Sequence, residues 1–130
     1  MKEIDWSSLS FGYMKTDYNV RCWYRNGAWG EIEVSSEETL NIHMAATCLH
    51  YGQEAFEGLK AYRCPDGKVR VFRMDENAAR LQSSCRGIMM PEMPTEKFEE
   101  MVSKVVRLNE AYIPPYESGA SLYIRPLLIG

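Results

Sequence analysis

Gly58-Leu59-Lys60-Ala61-Tyr62-Arg63-Cys64, then Pro65-Asp66-Gly67, then Lys68-Val69-Arg70-Val71-Phe72-Arg73, is the stretch that decides the fold. Proline presets φ and glycine accepts a positive φ, so the central tripeptide is a turn with a mechanism. The second arm alternates. Val69 and Val71 fall on one face and Arg70 and Phe72 on the other, the two-residue period of a strand. The whole reads as a β-hairpin. Directly after it, Asp75 can cap a helix running to about Arg86, with Glu76 favourable in the first turn.

Working outward, Val20-Arg21-Cys22-Trp23-Tyr24-Arg25 is rich in strand formers, and Asn26-Gly27 supplies the left-handed conformations of a tight hairpin. A return strand from Trp29 to Val34 follows. Beyond the first helix, a second is expected from Thr95, just after Pro94. Its apolar stripe is Phe98, Met101, Val102, Val105, Leu108 and Tyr112, at i, i+3, i+4, i+7 spacing, and Pro114-Pro115 stops it. Ser121 to Arg125 is a last strand that enters the apolar Pro126-Leu127-Leu128-Ile129-Gly130. Strands, a helix pair and a strand predict an α+β domain with a mostly antiparallel sheet over residues 19–130, behind an ordered arm at 1–18. Ending inside an apolar strand predicts a chain cut from something longer.

At 130 residues the chain fits one domain, and 45% hydrophobic with 25% charged is close to the globular average. A net charge of −3 with dispersed Lys and Arg argues against a nucleic-acid partner. No apolar run approaches the ~20 residues of a membrane span, and the polar start does not read as a secretion signal. The expected location is the cytoplasm. Cys22, Cys48, Cys64 and Cys85 form no CxxC pair, and His43 and His50 lie outside zinc-ligand spacing to them. Reduced, mostly packed thiols and no metal site are expected.

The residues alone stop short of a reaction. Motifs for dinucleotides, phosphate loops, zinc proteases and serine hydrolases are missing. Glu54 and Glu57, three apart, read as a solvated acidic face. Phe11, Tyr13, Tyr18, Tyr51, Phe56 and Tyr123 lie in the least periodic segments, where aromatics either line a pocket or simply pack. Arg80 follows Ala78 and Ala79 on a helix. It is either a wet surface arginine or a planar fork that a phosphate could approach. Arg125, among apolar neighbours and before a proline, is either paired or waiting for an anion.

Several segments resemble the branched-chain amino acid aminotransferases, of the fold-type IV pyridoxal-phosphate enzymes. Leu9-Ser10-Phe11-Gly12 with Thr16-Asp17 is similar to the arm of the longer members, with Tyr18-Asn19 replacing the expected His-Met. Leu49 to Tyr62, with Arg70-Val71-Phe72-Arg73, is similar to the family's "LHYG…FEGxKAY" block. Asn77-Ala78-Ala79-Arg80-Leu81 resembles the "N-x-x-R" helix, and Ala120 to Pro126 the "SLYIRP" block. The resemblance implies the family's small N-terminal domain, with Arg80 as the cofactor's phosphate ligand. It implies that Phe11, Phe56 and Tyr123 line the pocket for an aliphatic side chain, that Tyr51 reaches the site across a homodimer interface, and that Arg125 helps accept a second carboxylate. The implied substrates are leucine, isoleucine or valine with 2-oxoglutarate. The lysine that holds the cofactor covalently belongs to the family's second domain. No lysine here stands in its context, Lys60 included, so no catalytic residue is expected and the piece alone should be inactive. D-amino acid aminotransferases, aminodeoxychorismate lyases and a non-catalytic interaction module remain alternatives. The arm through Phe11 to Asp17 favours the branched-chain type.

Overall fold

The computed structural model describes residues 4–6 and 12–130. The hairpin at its centre forms as expected: β6 (Leu59–Arg63) pairs antiparallel with β7 (Val69–Val71), and Gly67 takes φ 83° in the turn between them. The aspartate adds to this turn, since the Lys68 N–H donates to Asp66 Oδ1 at 3.0 Å. On its other side β6 pairs antiparallel with β8 (Leu122–Ile124).

Just upstream, β5 (Glu54–Phe56) pairs antiparallel with β9 (Leu127–Ile129). Residues 54–63 and 122–129 therefore run side by side as one long ladder. It breaks at Arg125-Pro126, where proline has no N–H to give, although the Glu57 N–H still donates to Pro126 O at 3.0 Å.

The upstream hairpin is shorter than the sequence predicts. Asn26 and Gly27 do take φ 55° and 79° in its turn. The run from Val20 to Arg25, however, divides into β1 (Asn19–Arg21) and β2 (Tyr24–Arg25), and the return strand into β3 (Ala28–Trp29) and β4 (Glu33–Ser35). β2 pairs with β3 and β1 with β4, in two separate ladders. At the break, Gly30 N–H donates to Trp23 O at 2.8 Å and the Cys22 thiol lies 3.3 Å from Gly30 O, so the intervening residues bond locally.

Both helices are present, with two corrections. α2 (Met74–Gly87) begins two residues earlier than a cap at Asp75 predicts. Its N-cap is Arg73 in the left-handed region, without a side-chain cap bond, and Asp75 sits within the first turn beside the helix dipole. α3 (Thr95–Leu108) starts after Pro94 as expected, but the helical path tightens into a 3-10 turn at Glu110–Tyr112, which carries Tyr112. The short α1 (Thr47–His50) has no counterpart in the sequence reading.

The core lies between the helix pair and the β5–β6–β8 ladder. Ala55, Leu59, Ala61 and Ile124 meet Ala78, Leu81 and Cys85 of α2, backed by Phe98, Val102 and Val106 of α3. Buried Asn109, just past α3, ties down the start of β1. It accepts from Tyr18 N–H at 3.1 Å and donates to Tyr18 O and Val105 O at 2.9 and 2.8 Å. The four cysteines are free thiols, and only Cys85 is fully buried. No helix among the described residues is long and apolar enough to cross a membrane, and no His/Cys/Asp/Glu group among them could hold a metal ion.

Candidate functional site

Alternation along residues 54–61 sets the site. The inward positions are Ala55, Glu57, Leu59 and Ala61, all buried, while Phe56, Gly58 and Lys60 face out. A carboxylate thus occupies an inward position of an apolar strand. Glu57 is 5% exposed, which corrects its reading as part of a solvated face; Glu54 does remain exposed. Burying a charge is costly unless it is paired and hydrogen-bonded.

The pairing comes from α2. Arg80 Nε donates to Glu57 Oε1 and Oε2 at 2.9 and 3.0 Å, and Arg80 Nη2 to Oε1 at 2.6 Å. Asn77, one turn earlier, donates to Glu57 Oε1 at 3.0 Å and to Gly58 O at 3.4 Å. Burial alone would push the Glu57 carboxyl up, but the bonds from Arg80 and Asn77 overcome it and hold the group below the usual carboxylate range. The same pair keeps Arg80 charged. Arg80 remains 68% exposed, and its Nη1 has no partner among the described residues. It is an arginine on a wet helix face that is nonetheless fixed along one edge.

Across the ladder, Tyr123 is registered against Lys60 and Leu127 against Phe56, so Arg125 falls beside Gly58. The Arg125 guanidinium carbon lies 4.6 Å from the Phe56 ring centre and 5.2 Å from that of Tyr123, and Nε donates to the Tyr123 hydroxyl at 3.0 Å. Cation–π contacts of this kind hold a charge without neutralising it. Among the described residues Arg125 has no carboxylate partner.

The structure therefore gathers Phe56, Tyr123 and Arg125, and joins them to Arg80 through the Phe56-Glu57-Gly58 backbone rather than by direct contact. Tyr51 stands apart. It is 84% exposed, and its ring leans on His50 at 6.4 Å. Phe11 lies outside the described residues. The group forms an open surface, with Phe56 56% exposed. A separate apolar cleft of about 590 Å³ opens between the upstream hairpins, α3 and β8–β9, lined by Tyr18, Trp29, Phe98 and Met101. It shares Tyr123 and Arg125 with the cluster but not Phe56, Glu57 or Arg80.

Sequence reading missed Glu57 and Gly58. The second has a steric reason to be glycine. A Cβ there would come within 2.6 Å of the Tyr123 hydroxyl and 3.1–3.2 Å of its ring carbons. Gly58→Ala should displace the Tyr123 ring, break its bond to Arg125 and cost about 1–3 kcal/mol, as overpacking does. Urea unfolding reads this directly, and an unchanged midpoint contradicts it.

No protein-family model matches the chain. The branched-chain-amino-acid aminotransferase of Haemophilus influenzae is 48% identical over 130 residues, which are 100% of this chain and 38% of that protein. The solved Escherichia coli branched-chain amino acid aminotransferase superposes with a TM-score of 0.65 at 29% identity, covering 88% of this chain and 33% of that one. Another solved branched-chain amino acid aminotransferase, complexed with N-(5'-phosphopyridoxyl)-L-glutamate, gives 0.63 at 28% identity, over 88% and 33%. The chain spans a little over a third of the length of the curated relatives it matches.

Proposed function

The chain belongs, over its full length, to the branched-chain aminotransferase family, and on that premise we propose that it is the substrate-facing small domain of a pyridoxal-phosphate enzyme. The full-length protein moves the amino group of leucine, isoleucine or valine to 2-oxoglutarate. The arm at 1–18 and the domain at 19–130 form one part of it, and the lysine that holds the cofactor covalently comes from the length of the relatives that this chain does not span. The enzyme works in the cytoplasm as a homodimer, with the exposed Tyr51 reaching the neighbouring subunit's site. One observation carries the reading: an exposed, charged arginine fork and an aromatic pair bracing a second arginine both attach to the short Phe56-Glu57-Gly58 segment, the fork through inward Glu57 and the pair beside outward Phe56 and Gly58.

The residues present fit the cofactor. A phosphate dianion is recognised by a planar, permanently charged guanidinium, and Arg80 is exposed, charged and fixed along one edge. When bound, pyridoxal phosphate supplies the electron sink for amino-group transfer. Arg80 binds and orients the phosphate end. Phe56 and Tyr123, with Phe11 of the arm, cover the aliphatic side chain, since burying an isobutyl group is worth ~2–3 kcal/mol. Arg125, uncompensated by any carboxylate among the described residues, takes the second carboxylate of glutamate or 2-oxoglutarate. One methylene is worth only ~1–3 kcal/mol in such a pocket, so leucine, isoleucine and valine should all be used.

Steady-state assays of the full-length protein test the reading. Turnover of L-leucine with 2-oxoglutarate is expected, with isoleucine and valine within roughly a hundredfold of it. Turnover of D-alanine without L-leucine would assign the protein to the D-amino acid branch of the same fold instead.

A further inference from the structure

Glu57 is the one charged residue in the buried core of the described chain, where it faces Ala55, Leu59 and Ala61 as neighbours on its own strand. Its partners are specific. Both Arg80 and Asn77 direct donors at a single oxygen, Oε1, with only one further bond, from Arg80 Nε, at Oε2. The backbone at this point is pinned as well, because Glu57 N–H donates to Pro126 O and Gly58 O accepts from Asn77. The carboxylate is thus anchored by the strand, and it grips an arginine that is otherwise solvent-exposed.

We infer that Glu57 is a positioning residue: it holds the Arg80 fork by Nε and one Nη2 N–H, and leaves Nη1 with the second Nη2 N–H as the donor pair that meets a phosphate. The inference rests on the cofactor assignment above. Two effects of Glu57 oppose each other. Its negative charge lowers the attraction of Arg80 for an anion, but at an exposed guanidinium water and salt screen that term. Its grip removes the rotamer freedom that a long exposed arginine would otherwise lose on binding. Geometry wins over charge here, because the Arg80 side chain is 68% exposed while the Glu57 side chain holding it is buried.

The test separates the two effects in the full-length protein. Titration with pyridoxal phosphate and with unphosphorylated pyridoxal gives a ratio of dissociation constants that reports the phosphate contact alone. Glu57→Ala is expected to reduce the preference for the phosphorylated form about tenfold, as loss of one ordered charge-assisted contact does. Pyridoxal affinity should stay unchanged. Glu57→Gln, with its amide oxygen at the Oε1 position, keeps three of the four bonds and should restore most of the preference. A general structural role would weaken both ligands together, and would contradict the inference. So would an unchanged ratio in Glu57→Ala, or a tighter phosphate contact in Glu57→Gln, which would mean that charge outweighs geometry. If the unsubstituted protein binds no pyridoxal phosphate, the cofactor assignment fails first, and that result is distinct from all of these.

Discussion

Replacing Arg80 with alanine in the full-length protein is expected to weaken pyridoxal phosphate binding on the order of a hundredfold, with little change for pyridoxal. The reason is chemical. A phosphate dianion gains most from a planar donor pair on a fixed cation, and Arg80 supplies it on a side chain already held by Glu57. Arg80→Lys keeps the charge but not the fork, and should fall between the two. The substitution also leaves Glu57 buried without its main partner. Glu57 would then take up a proton more readily, because burial pushes it up and the Arg80 bonds that hold it down are gone. A loss shared equally by pyridoxal would indicate damage to the domain rather than removal of a phosphate contact. Absorbance titration of both ligands distinguishes the cases.

Asn109→Ala is the second large effect, and it acts on stability. Asn109 is 3% exposed, and its amide satisfies both Tyr18 backbone groups across 91 residues of sequence, besides Val105 O. Removing it strands several polar groups at once, at about 3 kcal/mol in total. The damage should be local to the join between the arm and β1. Tyr112→Phe, which loses a bond from an exposed hydroxyl to Asp17 at 2.9 Å, makes a control that should cost under ~1 kcal/mol. Urea unfolding of both variants checks the contrast. Equal midpoints would mean that Asn109 is not the anchor.

The elements that proved legible were those with short-range causes. Pro65-Asp66-Gly67 and Asn26-Gly27 determine their turns through local φ preferences, with Asp66 adding a side-chain bond to the first, and the stripe on α3 follows from period. The pairing of β5 with β9 and β6 with β8 was not legible, because it depends on partners some 60 residues or more away and is broken by Pro126. The split of the upstream strands has the same character, being decided by the local bonds around Gly30.

Within the site, Arg80 and Arg125 were visible as charges in unusual company. Glu57 was not, since its three-residue spacing from Glu54 suggested a solvated acidic face. The signal was present in another period. Ala55, Glu57, Leu59 and Ala61 alternate with outward residues, and an acid on the inward side of such a run needs a cation to meet it. The steric reason for Gly58 could not be read from sequence at all, because it depends on where Tyr123 lands across the ladder.

A crystal structure of the full-length protein with pyridoxal phosphate and a branched-chain substrate analogue measures the central arrangement most directly. Phosphate oxygens should lie about 2.7–2.9 Å from the Arg80 guanidinium, the length of a charge-assisted bond, with the aliphatic side chain against Phe56 and Tyr123. A phosphate seated elsewhere, with Arg80 still bound only to Glu57, would contradict the account.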